Sequence, residues 1–118
     1  MLRSFMLEAD VIRLKHMLDA ANEIVSFTKD ISQTEFEHDR KIQLSVVHLL
    51  EIIGEAGNQV SDDVKNHNTI IPWNHIIGMR NRLIHGYFDI DLNIVWKTAR
   101  EDIPPLIDQI KDILLSEK

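Results

Sequence analysis

The stretch of the sequence richest in groups that can do chemistry is GMRNRLIHGY, residues 78–87. Between Arg80 and Tyr87 it contains two arginines, an asparagine, a histidine and a tyrosine. Histidine titrates near neutral pH and can act as general acid or base, and arginine binds phosphate through a rigid fork of donors. Because RNA carries its own nucleophile, the 2′-hydroxyl, one arginine and one histidine are a minimal set for cleaving RNA without a metal.

The spacing limits how Arg80 and His85 could meet. Successive residues of an α-helix are turned by about 100°, so residues five apart diverge by roughly 140°. Both side chains can reach one phosphate only if His85 lies at the frayed end of a helix, or if two copies of the chain face each other in a symmetric dimer. Asn81, four residues before His85, shares its face and could orient the imidazole. On spacing alone, a solvated arginine and a histidine that ends a helix are the more frequent arrangement.

The elements that must position these residues are helices, because apolar residues recur every three or four positions along nearly the whole chain. Gly54 and Gly57 fall inside the second of these helices, where glycine would let another backbone approach closely. No strand pattern or internal repeat is present. The predicted helices span residues 3–29, 35–60 and 73–85, and a fourth runs to the C-terminus from a cap at Asp89 or Asp91.

These helices predict an all-α antiparallel bundle in a single domain over residues 1–118. Two local signals indicate where helices begin or break. Thr34 and Glu37 have the spacing of a capping box at the start of the second helix. Pro104 and Pro105 remove helical hydrogen bonds, so the fourth helix should kink or break near residues 102–103.

The composition excludes several classes of protein. The chain has 118 residues and no cysteine, which rules out disulfides and cysteine-based metal sites. Its 13 Lys and Arg against 19 Asp and Glu leave a net charge of −6, which argues against a general nucleic-acid coat and predicts no DNA binding. No apolar run is long enough to cross a bilayer, and the first residues do not form a signal peptide. We therefore expect a cytoplasmic protein without a membrane partner.

No cofactor or metal is predicted from the remaining residues. His48, Glu51 and Glu55 have helical spacing, but bundle metal sites need matching sets on other helices, so a solvated or structural face is the favoured interpretation. Trp73 and Trp96 are interpreted as core anchors rather than base-stacking platforms. The chain has no glycine-rich phosphate loop.

The string MRNRLIHGY at residues 79–87 resembles the R-x4-H-x-Y signature of HEPN-domain proteins of the HepT type. The resemblance extends to residues 53–56, 71–73, 95–96 and 102–106, and covers about 44–106. It implies a four- to five-helix HEPN bundle that forms a homodimer with a cleft at the interface.

The same resemblance implies a function. It indicates the toxin of a type VII-like toxin–antitoxin system, a metal-independent ribonuclease that cleaves tRNA or mRNA. It assigns Arg80 and His85 as the catalytic pair, with Asn81 as a supporting residue. It also implies a partner, a minimal nucleotidyltransferase antitoxin of the MntA type, which transfers AMP from ATP to Tyr87.

Two questions stay open at the level of sequence. The RNA-binding surface of an acidic chain is not evident, and Arg82 is the first candidate for it, with a local basic rim drawn from Arg40, Lys41, Lys97 and Arg100. The alternative function is a non-catalytic HEPN module that serves as the partner subunit of a nucleotidyltransferase.

Overall fold

The computed structural model describes residues 6–83 and 89–116, except for the side chain of Arg80. Regular secondary structure in these residues is entirely helical, which confirms the predicted all-α class. The helices are α1 (Glu8–Thr28), α2 (Gln33–Glu37), α3 (Arg40–Gln59), α4 (Asp62–His67), α5 (Trp73–Ile77), α6 (Met79–Leu83), α7 (Leu92–Lys97) and α8 (Ile103–Ser116), with a π-helical segment, Thr98–Asp102, between the last two.

The core lies between the three long elements. α1 packs on α3 and on α8, and α3 also packs on α5 and α6. Asp10 in the first turn of α1 contacts Ser61 just beyond the end of α3, so these two helices are antiparallel. Thr28 at the end of α1 contacts Arg100 just before α8, so α1 and α8 are antiparallel as well. None of the described helices is long and apolar enough to span a membrane.

The predicted second helix, residues 35–60, is wrong as a continuous helix, because the chain breaks at His38 and Asp39. His38 turns out of helical geometry at φ −109° and ψ 10°, and its Nδ1 lies 2.8 Å from the carbonyl oxygen of Thr34, which a continuing helix would have used. The Asp39 side chain then accepts a hydrogen bond from the Ile42 N–H and starts α3.

The capping box is also displaced by two residues from its predicted place. It consists of Ser32 and Glu35 rather than Thr34 and Glu37: the Glu35 N–H donates to the Ser32 hydroxyl, and the Ser32 N–H donates to the Glu35 carboxylate. The reason is that α2 begins at Gln33, so Ser32 is the residue whose side chain meets the unpaired N–H groups of the first turn.

The third predicted helix is interrupted at Gly78, which separates α5 from α6.

The contact between α3 and α5 explains why one of the two glycines in α3 has no side chain. A Cβ built on Gly54 would lie 3.2 Å from the backbone oxygen of Ile76, whereas one on Gly57 would meet only side-chain atoms at 3.5 Å or more. Close backbone approach, expected for both glycines, is therefore a property of Gly54.

The irregularity expected near Pro104 and Pro105 is confirmed as the π-helical segment that precedes them. Neither proline has an N–H, so the carbonyl groups four residues earlier receive no helical hydrogen bond. The Ile103 N–H instead donates to the Thr98 carbonyl, five residues back. A widened turn thus joins α7 to α8.

At the start of α7, the Asp91 side chain accepts from the Ile94 N–H, so the cap is Asp91 rather than Asp89.

Candidate active site

Helix α6 positions the first half of the R-x4-H-x-Y motif. Met79 and Leu83, four residues apart, are each 1% exposed and fix the helix in the core. Arg80, Asn81 and Arg82 lie between these two anchors. Asn81 is exposed and Arg82 is partly exposed, so α6 is a helix with one buried edge and a polar side.

The second half of the motif lies outside the described residues. His85 and Tyr87 fall within 84–88, and only the backbone of Arg80 is described, as part of α6. The pairing of Arg80 with His85, the orienting role of Asn81 and the accessibility of Tyr87 therefore remain predictions. The structure does describe the residues on either side of this segment. The Asp91 N–H donates to the Leu83 carbonyl at 2.9 Å, so Leu83 and Asp91 lie next to each other.

Arg82, the first candidate for binding RNA, is hydrogen-bonded within the chain. Its Nη1 donates to the backbone carbonyl of His75 at 2.9 Å, and its Nη2 lies 3.0 Å from the Nε2 of the same histidine. The Nε2 of His75 is also 3.5 Å from the carboxylate of Asp102. The guanidinium thus bridges α5 and α6 across the break at Gly78.

No role was predicted for His75 from the sequence, and the structure shows it as an exposed histidine that contacts Arg82. A signal was present, because His75 and Arg82 are seven residues apart, which is nearly two full helical turns and places them on the same side. No spacing indicated that Asp102 lies near His75, since Asp102 comes from a different part of the chain.

A cleft of about 180 Å³ opens beside this cluster. Its apolar wall includes Met79 from α6 and Ile103 and Leu106 from the last helix, and its polar edge includes His75 and Asp102. The cleft therefore adjoins the residue immediately before Arg80.

One candidate for the basic rim, Arg100, is hydrogen-bonded within the chain. It donates to the Thr28 carbonyl at the end of α1 at 2.7 Å, and its guanidinium lies 5.3 Å from the centroid of the Trp96 ring. Trp96 also packs on Phe36, with ring centroids 5.3 Å apart. This arginine thus ties the end of α1 to the core. All four rim candidates are exposed, and a basic rim built from them stays a prediction: Arg40, Lys41, Lys97 and Arg100.

Both tryptophans have the anchoring role predicted for them. Trp73 is 7% exposed, and its indole Nε1 donates to the Asn68 carbonyl at 3.0 Å. Trp96 is partly buried against the core. Within residues 6–83 and 89–116, no three His, Asp or Glu side chains are grouped closely enough to hold a metal ion.

Comparison with known proteins identifies the family. Residues 17–113 match the family model described as Ribonuclease HepT-like. A protein of Methanocaldococcus jannaschii that is provisionally named an RNase is 39% identical over 98 residues, which is 83% of this chain and 90% of that protein. The "Probable ribonuclease HepT" of Thermococcus cleftensis is 42% identical over 93 residues, covering 79% of this chain and 84% of that protein.

A relative from Caldanaerobacter subterraneus, also provisionally named an RNase, is 37% identical over 105 residues, or 89% of this chain and 94% of its own length. No solved structure matches the chain. The family match spans both the helical frame and the motif at residues 80–87. This chain therefore belongs to the HepT-like ribonuclease family, as its resemblance to HepT-type HEPN proteins implied.

Proposed function

We propose that this protein is a metal-independent ribonuclease toxin, with Arg80 and His85 as its catalytic pair and Tyr87 as the residue at which it is switched off. The observation that carries the proposal is the intact R-x4-H-x-Y motif inside a family match over residues 17–113. The cognate antitoxin would be a minimal nucleotidyltransferase that attaches AMP to Tyr87.

The chemistry follows from the two side-chain types. The 2′-hydroxyl of a ribose attacks the adjacent phosphorus, the bond from phosphorus to the 5′-oxygen breaks, and a 2′,3′-cyclic phosphate forms. His85 would take the proton from the 2′-hydroxyl or give one to the leaving oxygen. Arg80 would bind the phosphate and stabilise the charge that grows on it. Asn81 would orient the imidazole.

The described frame supports this arrangement. Arg80 belongs to a helix anchored by two buried residues, Met79 and Leu83. His85 follows Leu83 by only two residues in the sequence. A catalytic pair drawn from this segment would thus be tied to the core. In the homodimer that the resemblance implies, the second chain would bring its own Arg80 and His85 to the cleft at the interface.

The switch has a simple electrostatic basis. Each AMP adds a negatively charged phosphate diester and a bulky base two residues from His85. Like charge and steric bulk would both repel an incoming RNA backbone.

The catalytic proposal is tested with purified protein and a mixture of tRNA and mRNA, with EDTA present. Arg80→Ala and His85→Ala should each lower the cleavage rate by at least about a hundredfold, the usual contribution of an acid–base or charge-stabilising group. The matched controls are Arg13→Ala in α1 and His67→Ala in α4, which should cleave like the wild type. Equal cleavage by His85→Ala and wild type, or cleavage that EDTA abolishes, would contradict the proposal.

The switch is tested by co-expression with a minimal nucleotidyltransferase antitoxin of the MntA type. The intact mass should rise by about 329 Da per AMP attached, and Tyr87→Phe should abolish the increase. An unchanged mass in the wild type, or an increase that persists in Tyr87→Phe, would remove Tyr87 from the proposal.

A second candidate is a non-catalytic module that docks a nucleotidyltransferase. It is favoured by the net charge of −6 and by the engagement of Arg82 and Arg100 in bonds within the chain. This candidate predicts a stable complex that survives His85→Ala and no RNA cleavage by any form of the protein.

A further inference from the structure

We propose that His75 is a positioning residue that acts through Arg82: its Nε2 accepts a hydrogen bond that fixes α6, and the Asp102 carboxylate competes for the same nitrogen. The three side chains come from α6, α5 and the π-helical segment. The Nη2 of Arg82 is 3.0 Å from His75 Nε2, and the nearer Asp102 oxygen is 3.5 Å from it.

One ring nitrogen cannot serve both neighbours. A guanidinium only donates hydrogen bonds and an ionised carboxylate only accepts them. Arg82 therefore requires a bare Nε2, whereas Asp102 requires an Nε2 that carries a hydrogen. The Arg82 distance is that of a good hydrogen bond and the Asp102 distance is at the outer limit. The geometry points to a neutral His75 with its hydrogen on Nδ1.

The bond matters because α5 and α6 are short. Each has five residues, too few to be stable without tertiary contacts, and they meet at Gly78. Arg82 joins them by donating both to the His75 backbone carbonyl and to the ring. A bidentate guanidinium restricts the angle between the two helices, and α6 is the helix that includes Arg80.

A hydrogen on Nε2 would remove the acceptor for Arg82 and supply a donor to Asp102 instead. Among the described residues, Glu101 lines the same cleft as His75, and Asp62 and Lys65 line a second groove that also includes His75. The link from α5 to α6 therefore depends on which ring nitrogen of His75 carries the hydrogen.

The first test does not depend on ribonuclease activity. Long-range ¹H–¹⁵N correlation spectra at about pH 8, where histidine is mostly neutral, report which ring nitrogen carries the hydrogen. His75 should show an unprotonated Nε2, and Arg82→Ala should shift that signal. The Nε2–H form in the wild type, or no shift in Arg82→Ala, would overturn the proposal.

The second test rests on the proposed function and compares two variants. In His75→Gln the amide oxygen can accept from Arg82 at every pH, while His75→Leu removes the acceptor. At about pH 8, His75→Leu should cleave RNA about two- to tenfold more slowly than wild type, the range expected for one hydrogen bond, and His75→Gln should match wild type. His67→Gln is the control for an exposed histidine that contacts only its own helix.

Rescue by the conservative variant separates positioning from a merely structural role, because His75→Gln keeps an acceptor for Arg82 and His75→Leu does not. Equal loss of cleavage in the two variants, or no loss in His75→Leu, would overturn the proposal. If no form cleaves RNA, the proposed function fails, and the ring spectra alone decide the role of His75.

Discussion

Asp10 is a buried carboxylate that joins two elements distant in sequence. It is 4% exposed, and its two oxygens accept hydrogen bonds from the Ser61 N–H at 2.8 Å and from the Ser61 hydroxyl at 2.7 Å. Both bonds are charge-assisted and partly buried, and charge assistance makes them stronger than neutral bonds. Asp10 also lies in the first turn of α1, where a negative charge is favourable. It therefore links the start of α1 to the start of α4.

Asp10→Ala should lower the free energy of unfolding by about 1.5–3 kcal/mol, because it removes hydrogen bonds to a charged group and leaves the Ser61 N–H unpaired. Urea unfolding followed by circular dichroism measures the change. The control is Asp19→Ala, an exposed position of the same helix, which should stay within about 0.5 kcal/mol of wild type. In a cycle with Ser61→Ala, additive losses would show that the two residues do not interact.

Among the helices, α3 packs closely on α5, which immediately precedes the motif helix α6. Gly54 faces the backbone oxygen of Ile76, which cannot move without shifting α5. Gly57, one turn later, faces the flexible end of Met17 and the side chain of Ile76. Two glycines of the same helix thus differ in what an added methyl group would meet.

Gly54→Ala should destabilise the protein by about 1–3 kcal/mol, the usual cost of overpacking, and should lower RNA cleavage by displacing α5 and α6. Gly57→Ala should be neutral or stabilise by up to about 1 kcal/mol, because alanine favours the helix and the contact at 3.5 Å is ordinary. Thermal unfolding and cleavage rates of the two variants measure both effects. Equal stability of the two variants would refute the backbone-contact explanation.

Arg80 and His85 of one active site could come from the same chain or from the two chains of a dimer. The sequence allows either a helix-end site or a site shared across a symmetric dimer, because Arg80 and His85 are five residues apart. The answer depends on which copy supplies each residue, and a mixture of two inactive variants distinguishes the cases.

Unfolding and refolding Arg80→Ala together with His85→Ala should restore about a quarter of wild-type cleavage if sites are shared. Random pairing makes about half of the dimers mixed, and in each mixed dimer one of the two shared sites has both residues. If each site lies within one chain, every site lacks a residue and the mixture stays inactive. Each variant refolded alone is the control, and sedimentation analysis verifies that dimers form.

Features that depend on near neighbours along the chain could be predicted from the sequence. Helical periodicity predicted the all-α class, the prolines predicted the irregular turn before α8, and the motif predicted the family. For the start of α7, the sequence allowed two caps, Asp89 and Asp91. These signals are local, because a helix bonds each residue to one three to five positions away.

Features that depend on residues distant in sequence became visible only in the folded chain. The breaks at His38 and at Gly78 were not predicted. The spacing of Thr34 and Glu37 placed the helix start before His38, and apolar periodicity continues through Gly78. Arg82 and Arg100, named from sequence as RNA contacts, are bonded to the carbonyl groups of His75 and Thr28. Charge and residue type show what an arginine can bind. Only packing shows that Thr28, 72 residues away from Arg100, is the group within reach.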